Sequence, residues 1–144
     1  MTIADGSGLA RTNRVTPHLM VELLDAMYHD AERASIFRES LAYAGRTEEG
    51  TYMSQGTFTR GSRFSKLPPG HWVMGKSGAM TSVNALTGYL IIPAGQDSEQ
   101  HVIGFSMIFN GYKPPQSGQS IKALQHQIIE LADQAITHPA SLAW

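Results

Sequence analysis

An α+β fold is what this sequence predicts, and three observations carry it. Leu19, Met20, Leu23, Leu24 and Met27 recur at helical spacing near the start of the chain. Three β-rich runs then follow one another over 72–78, 83–92 and 102–110. A final helix-periodic run over 120–136 places Ile121, Leu124, Ile128, Leu131, Ala135 and Ile136 on one face. Helices, then successive strands, then a covering helix describe antiparallel strands under a C-terminal helix.

In chain order, Asp5-Gly6-Ser7-Gly8 reads as a turn, with Asp5 capping neighbouring amides and the glycines free to take positive φ. Thr16-Pro17 announces the first helix, because threonine accepts from orphan amides and proline suits the first helical position. A second short helix is expected over 31–41, burying Ile36, Phe37 and Leu41. From Gly45 to Gly70 the chain is polar and punctuated by glycine, and it closes on Pro68-Pro69. It reads as a long loop with at most a helical turn near Thr51. Pro93 to Gln100 is a polar turn that suits a hairpin between the second and third strands. Tyr112-Lys113-Pro114-Pro115 reads as a link into the final helix.

Composition narrows the function classes. The 144 residues suffice for one domain with a core. A net charge of −1 and a pI near 6.6 give no basic footprint for nucleic acid. Cysteine is absent, which excludes disulfides and thiolate metal sites. The longest apolar stretches, near Tyr89 to Ile92 and Val102 to Phe109, fall far short of a membrane span, and Met1 to Asp5 carries no export signal.

Lys76-Ser77-Gly78 is where chemistry enters. Gly70 to Ser77 matches G-x-x-x-x-G-K-S, the phosphate-binding loop. That loop needs a buried strand before it and a helix opening at the lysine. Here Leu67-Pro68-Pro69-Gly70 precedes it, His71-Trp72-Val73-Met74 fills it with bulky strand-like residues, and glycine and β-branched residues follow. The surroundings favour the second reading, the Lys-Thr/Ser-Gly strand of a serine acyltransferase.

Several separated pieces agree with one family in type and order: Asp5-Gly6-Ser7-Gly8-Leu9-Ala10-Arg11 with Asn13 and Thr16-Pro17, then Ser40-Leu41, Ala44-Gly45 and Gly50-Thr51. They continue as Gly75-Lys76-Ser77-Gly78, Ala85-Leu86-Thr87-Gly88-Tyr89, and Phe105-Ser106 with Asn110. On these residues the chain resembles the C-terminal portion of the class C low-molecular-mass D-alanyl-D-alanine carboxypeptidases, peptidase family S13. The resemblance implies part of a β-lactamase-like, penicillin-binding transpeptidase fold. It also implies three converging motifs: Ser-x-x-Lys for nucleophile and base, Ser-x-Asn for proton transfer, and Lys-Thr-Gly along the cleft.

Only the third motif is present. No Ser-x-x-Lys occurs, since Arg63, Val73, Asn110 and Gln119 stand three places before the four lysines. Ser82-Val83-Asn84 matches Ser-x-Asn but lies directly after Lys76, far from the family's order, and reads as coincidence. The resemblance assigns substrate binding to Lys76, Ser77 and Gly78. Lys76 and Ser77 would hold the terminal carboxylate of a D-Ala-D-Ala peptide, and Gly78 would let the peptide lie alongside as an added strand. The backbone N–H of Ala79 would be one oxyanion-hole donor. No cofactor or metal is implied, and the partners implied are D-Ala-D-Ala peptides and β-lactams, outside the cytoplasmic membrane.

Because the family's sheet includes N-terminal strands not found in these residues, an unpaired edge and self-association are expected. So is inactivity of the segment alone. A non-catalytic module of the same fold, binding peptide carboxylates or interacting with another subunit, is the alternative. Arg11 and Asn13 are expected to shape the cleft without chemistry. His18, His29, His71, His101, His126 and His138 show no paired ligand spacing and read as ordinary surface histidines. The scattered methionines read as core filling.

Overall fold

The computed structural model of the chain describes residues 1–94, 99–113 and 115–138. Among these residues three helices, α1 (Pro17–His29), α2 (Ala34–Glu39) and α3 (Gly118–Thr137), accompany five strands: β1 (Ala42–Arg46), β2 (Tyr52–Ser54), β3 (Trp72–Met80), β4 (Val83–Ile92) and β5 (His101–Asn110). All strand pairs are antiparallel, in the order β2-β1-β3-β4-β5. The α+β class and the C-terminal helix are as the periodicity predicts. Part of the 93–100 turn (95–98), and Pro114 of the link, lie outside the described residues.

Strand alternation sorts the sheet into two faces. Through the pairs Val73↔Leu90, Ser77↔Leu86, Leu90↔Ile103 and Leu86↔Met107, one face carries Val73, Ser77, Leu86, Leu90, Ile103 and Met107. This face holds the core, in which Phe58, Phe64, Leu67 and Ile129 of α3 join Ala44, Val73 and Leu90. Against the other face packs α1, where Val21 and Leu24 lie beside Gly104 and the Tyr89 hydroxyl donates to the Leu24 carbonyl at 2.6 Å. The molecule is therefore layered, with α1 on one side of the sheet and α3 with the 56–67 segment on the other.

Capping follows the sequence closely. Thr16 Oγ1 accepts from the Leu19 amide at 3.2 Å, with Pro17 opening α1. Ser117 and Ser120 form a reciprocal capping box on α3. The Asp5 carboxylate accepts from Ser7 Oγ, the Gly8 and Ala10 amides and Asn13 Nδ2, while Asn13 Oδ1 accepts from the Ala4 and Asp5 amides.

Three expectations need correction. The segment 45–70 is not a plain loop: it contains the end of β1, all of β2 and a 3-10 turn at Gly56–Phe58, displaced from Thr51. Arg46 organises it, donating to the Ser65 carbonyl through Nε and Nη2 and to the Gly50 carbonyl through Nη1. The second helix is only six residues long, too short to wrap a face into the core, and Ile36 is 70% exposed.

The third correction concerns α3, which buries Ile121, Gln125, Ile129 and Asp133. The expected face is rotated outward, leaving Leu124, Ile128, Leu131 and Ile136 exposed. The inward face instead carries Asp133, which meets His71 in a buried polar pair.

Candidate functional site

The position where β1 begins decides the site's geometry. β1 pairs with β3 from Gly45↔Trp72 to Ala42↔Gly75, whereas β4 pairs along the whole of β3 as far as Met80. Among the described residues, no strand accompanies β3 beyond Gly75 on β1's side. Lys76 to Met80 thus form a half-strand with one open edge.

Backbone direction on this edge follows from period two. The Arg46 amide donates to the His71 carbonyl at 3.1 Å, so His71 faces β1. In an unbulged strand the N–H and C=O groups of Val73, Gly75, Ser77 and Ala79 face the same way. Those of Ser77 and Ala79 therefore point into the open edge. On the opposite side β3 and β4 approach unusually closely: a Cβ on Gly88 would lie 2.0 Å from the Met74 carbonyl oxygen, and one on Gly75 would lie 2.6 Å from that of Thr87.

The side chains gather at the same edge. Lys76 is exposed and folds back, with Nζ donating to the Ser77 carbonyl at 2.8 Å, which holds its positive charge at the open edge. Ser77 Oγ lies 3.0 Å from Thr57 Oγ1 on the 3-10 turn. Gly78 and Ala79 are exposed. Lys76, Ser77, Gly78 and Ala79 are thus brought together, with Thr57, which the sequence reasoning did not single out. Lys76 lies inside a strand, which is not the helix-opening geometry of a phosphate loop.

Below the site, His71 Nδ1 and Asp133 Oδ1 lie 2.5 Å apart, with His71 7% and Asp133 1% exposed. This pair ties the entry of β3 to α3. His71 is therefore not a surface histidine, and neither is His126. The His126 ring packs on Phe64 with centroids 4.8 Å apart, and burial, with the charges of Arg63 and Lys122, pushes its imidazole down to about 4. Arg63 Nη1, Gln125 Nε2 and His126 Nε2 are buried without hydrogen-bond partners.

The remaining candidates have structural partners. Ser82 adopts φ 58° in the β3–β4 turn, and the buried Asn84 donates to the Tyr112 hydroxyl at 2.6 Å. Arg11 contributes its carbonyl to the Arg14 guanidinium, and Asn13 belongs to the Asp5 turn. No helix among the described residues is long and apolar enough to cross a membrane.

Comparison with known proteins agrees with this arrangement. The family described as D-Ala-D-Ala carboxypeptidase 3 (S13) matches residues 1–135. Penicillin-sensitive carboxypeptidase A of Dictyostelium discoideum is 32% identical over 131 residues, covering 90% of this chain and 23% of that protein. D-alanyl-D-alanine carboxypeptidase of Actinomadura sp. (strain R39) is 32% identical over 136 residues, covering 94% of this chain and 22% of that protein. No solved structure matches. The chain spans less than a quarter of the length of these relatives, within their C-terminal parts. With the match running from the Asp5 turn through the open β3 edge into α3, this chain belongs to the D-Ala-D-Ala carboxypeptidase 3 (S13) family.

Proposed function

We propose that this chain forms the Lys-Ser-Gly wall of a serine-type D-Ala-D-Ala carboxypeptidase acting on peptidoglycan stem peptides, as the C-terminal part of a transpeptidase-like domain outside the cytoplasmic membrane. The observation that carries the reading is the open half-edge of β3, where Lys76, Ser77, Gly78 and the Ala79 N–H lie together. A peptide added along this edge pairs with the outward backbone groups of Ser77 and Ala79. Its terminal carboxylate receives the Ser77 hydroxyl, and the Lys76 charge makes the site attractive to an anion. As the scissile carbonyl becomes tetrahedral, the Ala79 N–H donates to the developing oxyanion. The reaction passes through an acyl-enzyme, which β-lactams trap.

Nucleophile and base come from a Ser-x-x-Lys that these 144 residues lack, so the segment alone is inactive. Intact-mass measurement after incubation with a reactive penicillin is expected to show no adduct on this chain. Serine labelling is expected once the preceding segment of a relative is supplied. A stoichiometric adduct on a serine of the chain by itself refutes this division of labour.

The missing Ser-x-x-Lys also favours a second reading, a binding module that holds peptide carboxylates without turnover. Under it, a D-Ala-D-Ala peptide binds saturably and Lys76→Ala abolishes binding, while the completed protein neither hydrolyses the peptide nor labels with penicillin.

A further inference from the structure

We infer that Thr57 is a positioning residue of the carboxylate site, and that its hydroxyl orients that of Ser77 toward the substrate. The inference rests on the proposed carboxylate-binding role of Ser77 and extends it to a residue 20 positions earlier.

The contact is between two hydroxyls, Thr57 Oγ1 and Ser77 Oγ, at 3.0 Å. Each hydroxyl has one proton and two acceptor lone pairs, so within the pair one must donate and the other accept. When Ser77 gives its proton to a carboxylate oxygen, the pair persists only if Thr57 donates to Ser77. The direction is then fixed from Thr57 to Ser77 to carboxylate, and each bond polarises the next. Without Thr57 the Ser77 hydroxyl must find its rotamer unaided, and its oxygen loses a donor that would strengthen its own donation.

Thr57 is held firmly between its neighbours. Gly56 takes φ +65°, and a Cβ there would come within 3.0 Å of Ala42 Cβ, so the turn closes against the residue where β1 begins and the β3 edge opens. On the other side Phe58 is fully buried, edge-on to Phe64 with centroids 5.3 Å apart. A close glycine contact and a buried aromatic thus fix the hydroxyl beside Ser77. With Lys76 Nζ on the Ser77 carbonyl, the open edge brings one cation and two hydroxyls together from residues 57, 76 and 77.

The test separates orientation from mere tethering of the turn. An N-acylated D-Ala-D-Ala peptide and its C-terminal amide are titrated into the 144-residue chain, following the Ser77 and Ala79 amide resonances. The unaltered chain is expected to favour the carboxylate form. Thr57→Val should weaken that form about tenfold and leave the amide form unchanged, while Thr57→Ser restores binding to within about twofold. Unchanged carboxylate preference in Thr57→Val overturns the inference, as does equal loss in both variants, which marks a steric role. If the unaltered chain does not distinguish carboxylate from amide, the carboxylate-site reading itself fails, and this inference with it.

Discussion

Breaking the His71–Asp133 pair is the most direct test of how the fold aims β3. The two groups lie 2.5 Å apart, 62 residues apart in sequence, in a place where neither is more than 7% exposed. Removing Asp133 leaves a buried imidazole nitrogen without its partner. A lost hydrogen bond to a charged group is worth about 1.5–3 kcal/mol, and the orphaned polar atom adds about 1–3 kcal/mol. Asp133→Ala should therefore cost about 3–5 kcal/mol, from the lost hydrogen bond and the orphaned nitrogen together. That is a large part of the stability of a small domain, about 5–15 kcal/mol.

Asp133→Asn keeps the shape and an acceptor oxygen, and is expected to cost roughly half as much. The assay is urea unfolding followed by far-UV circular dichroism on a double-mutant cycle of Asp133→Asn and His71→Gln. Mutual dependence should appear as a coupling energy above about 1 kcal/mol. A coupling below about 0.5 kcal/mol would mean that the pair does not tie α3 to the entry of β3, and would refute that reading of it.

Three further outcomes are expected. His126 is held neutral by a folded pKa of about 4, below its unfolded value near 6.5, so the unfolded chain takes up the proton first as pH falls. Its contribution is complete above pH 6.5 and is lost as pH falls toward 4, by up to about 2 kcal/mol after allowing for the ring's partial exposure. His126→Gln should flatten that part of the urea midpoint against pH; an unchanged slope contradicts the assignment. Gly88→Ala drives a Cβ to 2.0 Å from the Met74 carbonyl, so the β3–β4 pair must part; an expected loss of about 3 kcal/mol is read by thermal melting, and a loss under 1 kcal/mol argues against the close approach. The ten residues of β5 form an uncharged outer edge, and α3 exposes Leu124, Ile128 and Leu131, so the isolated chain should sediment as a dimer or larger. Leu131→Asp should shift it toward monomer, whereas a dispersed monomer of the unaltered chain counts against association.

How much was legible in the sequence depended on the range of the signal. Thr16-Pro17 and the β-rich runs gave local signals, because capping and period-two alternation act between neighbours. β1 and β2 were hidden because Ala42-Tyr43-Ala44-Gly45-Arg46 and Tyr52-Met53-Ser54 are short and lack clean alternation. Their pairing depends on β3 and on Arg46 holding carbonyls 4 and 19 residues away. The outward apolar stripe of α3 was misread for a similar reason. Hydrophobic periodicity names the apolar face, but the buried face of α3 carries Gln125 and Asp133, the latter bonded to His71 across 62 residues.

By itself, then, the sequence determined the α+β order, the start of the first helix, the Lys76-Ser77-Gly78 strand and the ordered motifs that mark the family, all properties of contiguous residues. Only the tertiary structure decided that β1 begins at Ala42 and leaves the β3 edge open, that Thr57 meets Ser77, and that His71 meets Asp133. These are contacts between residues distant in the chain, fixed by which backbone and polar groups remain to be satisfied once the core has closed.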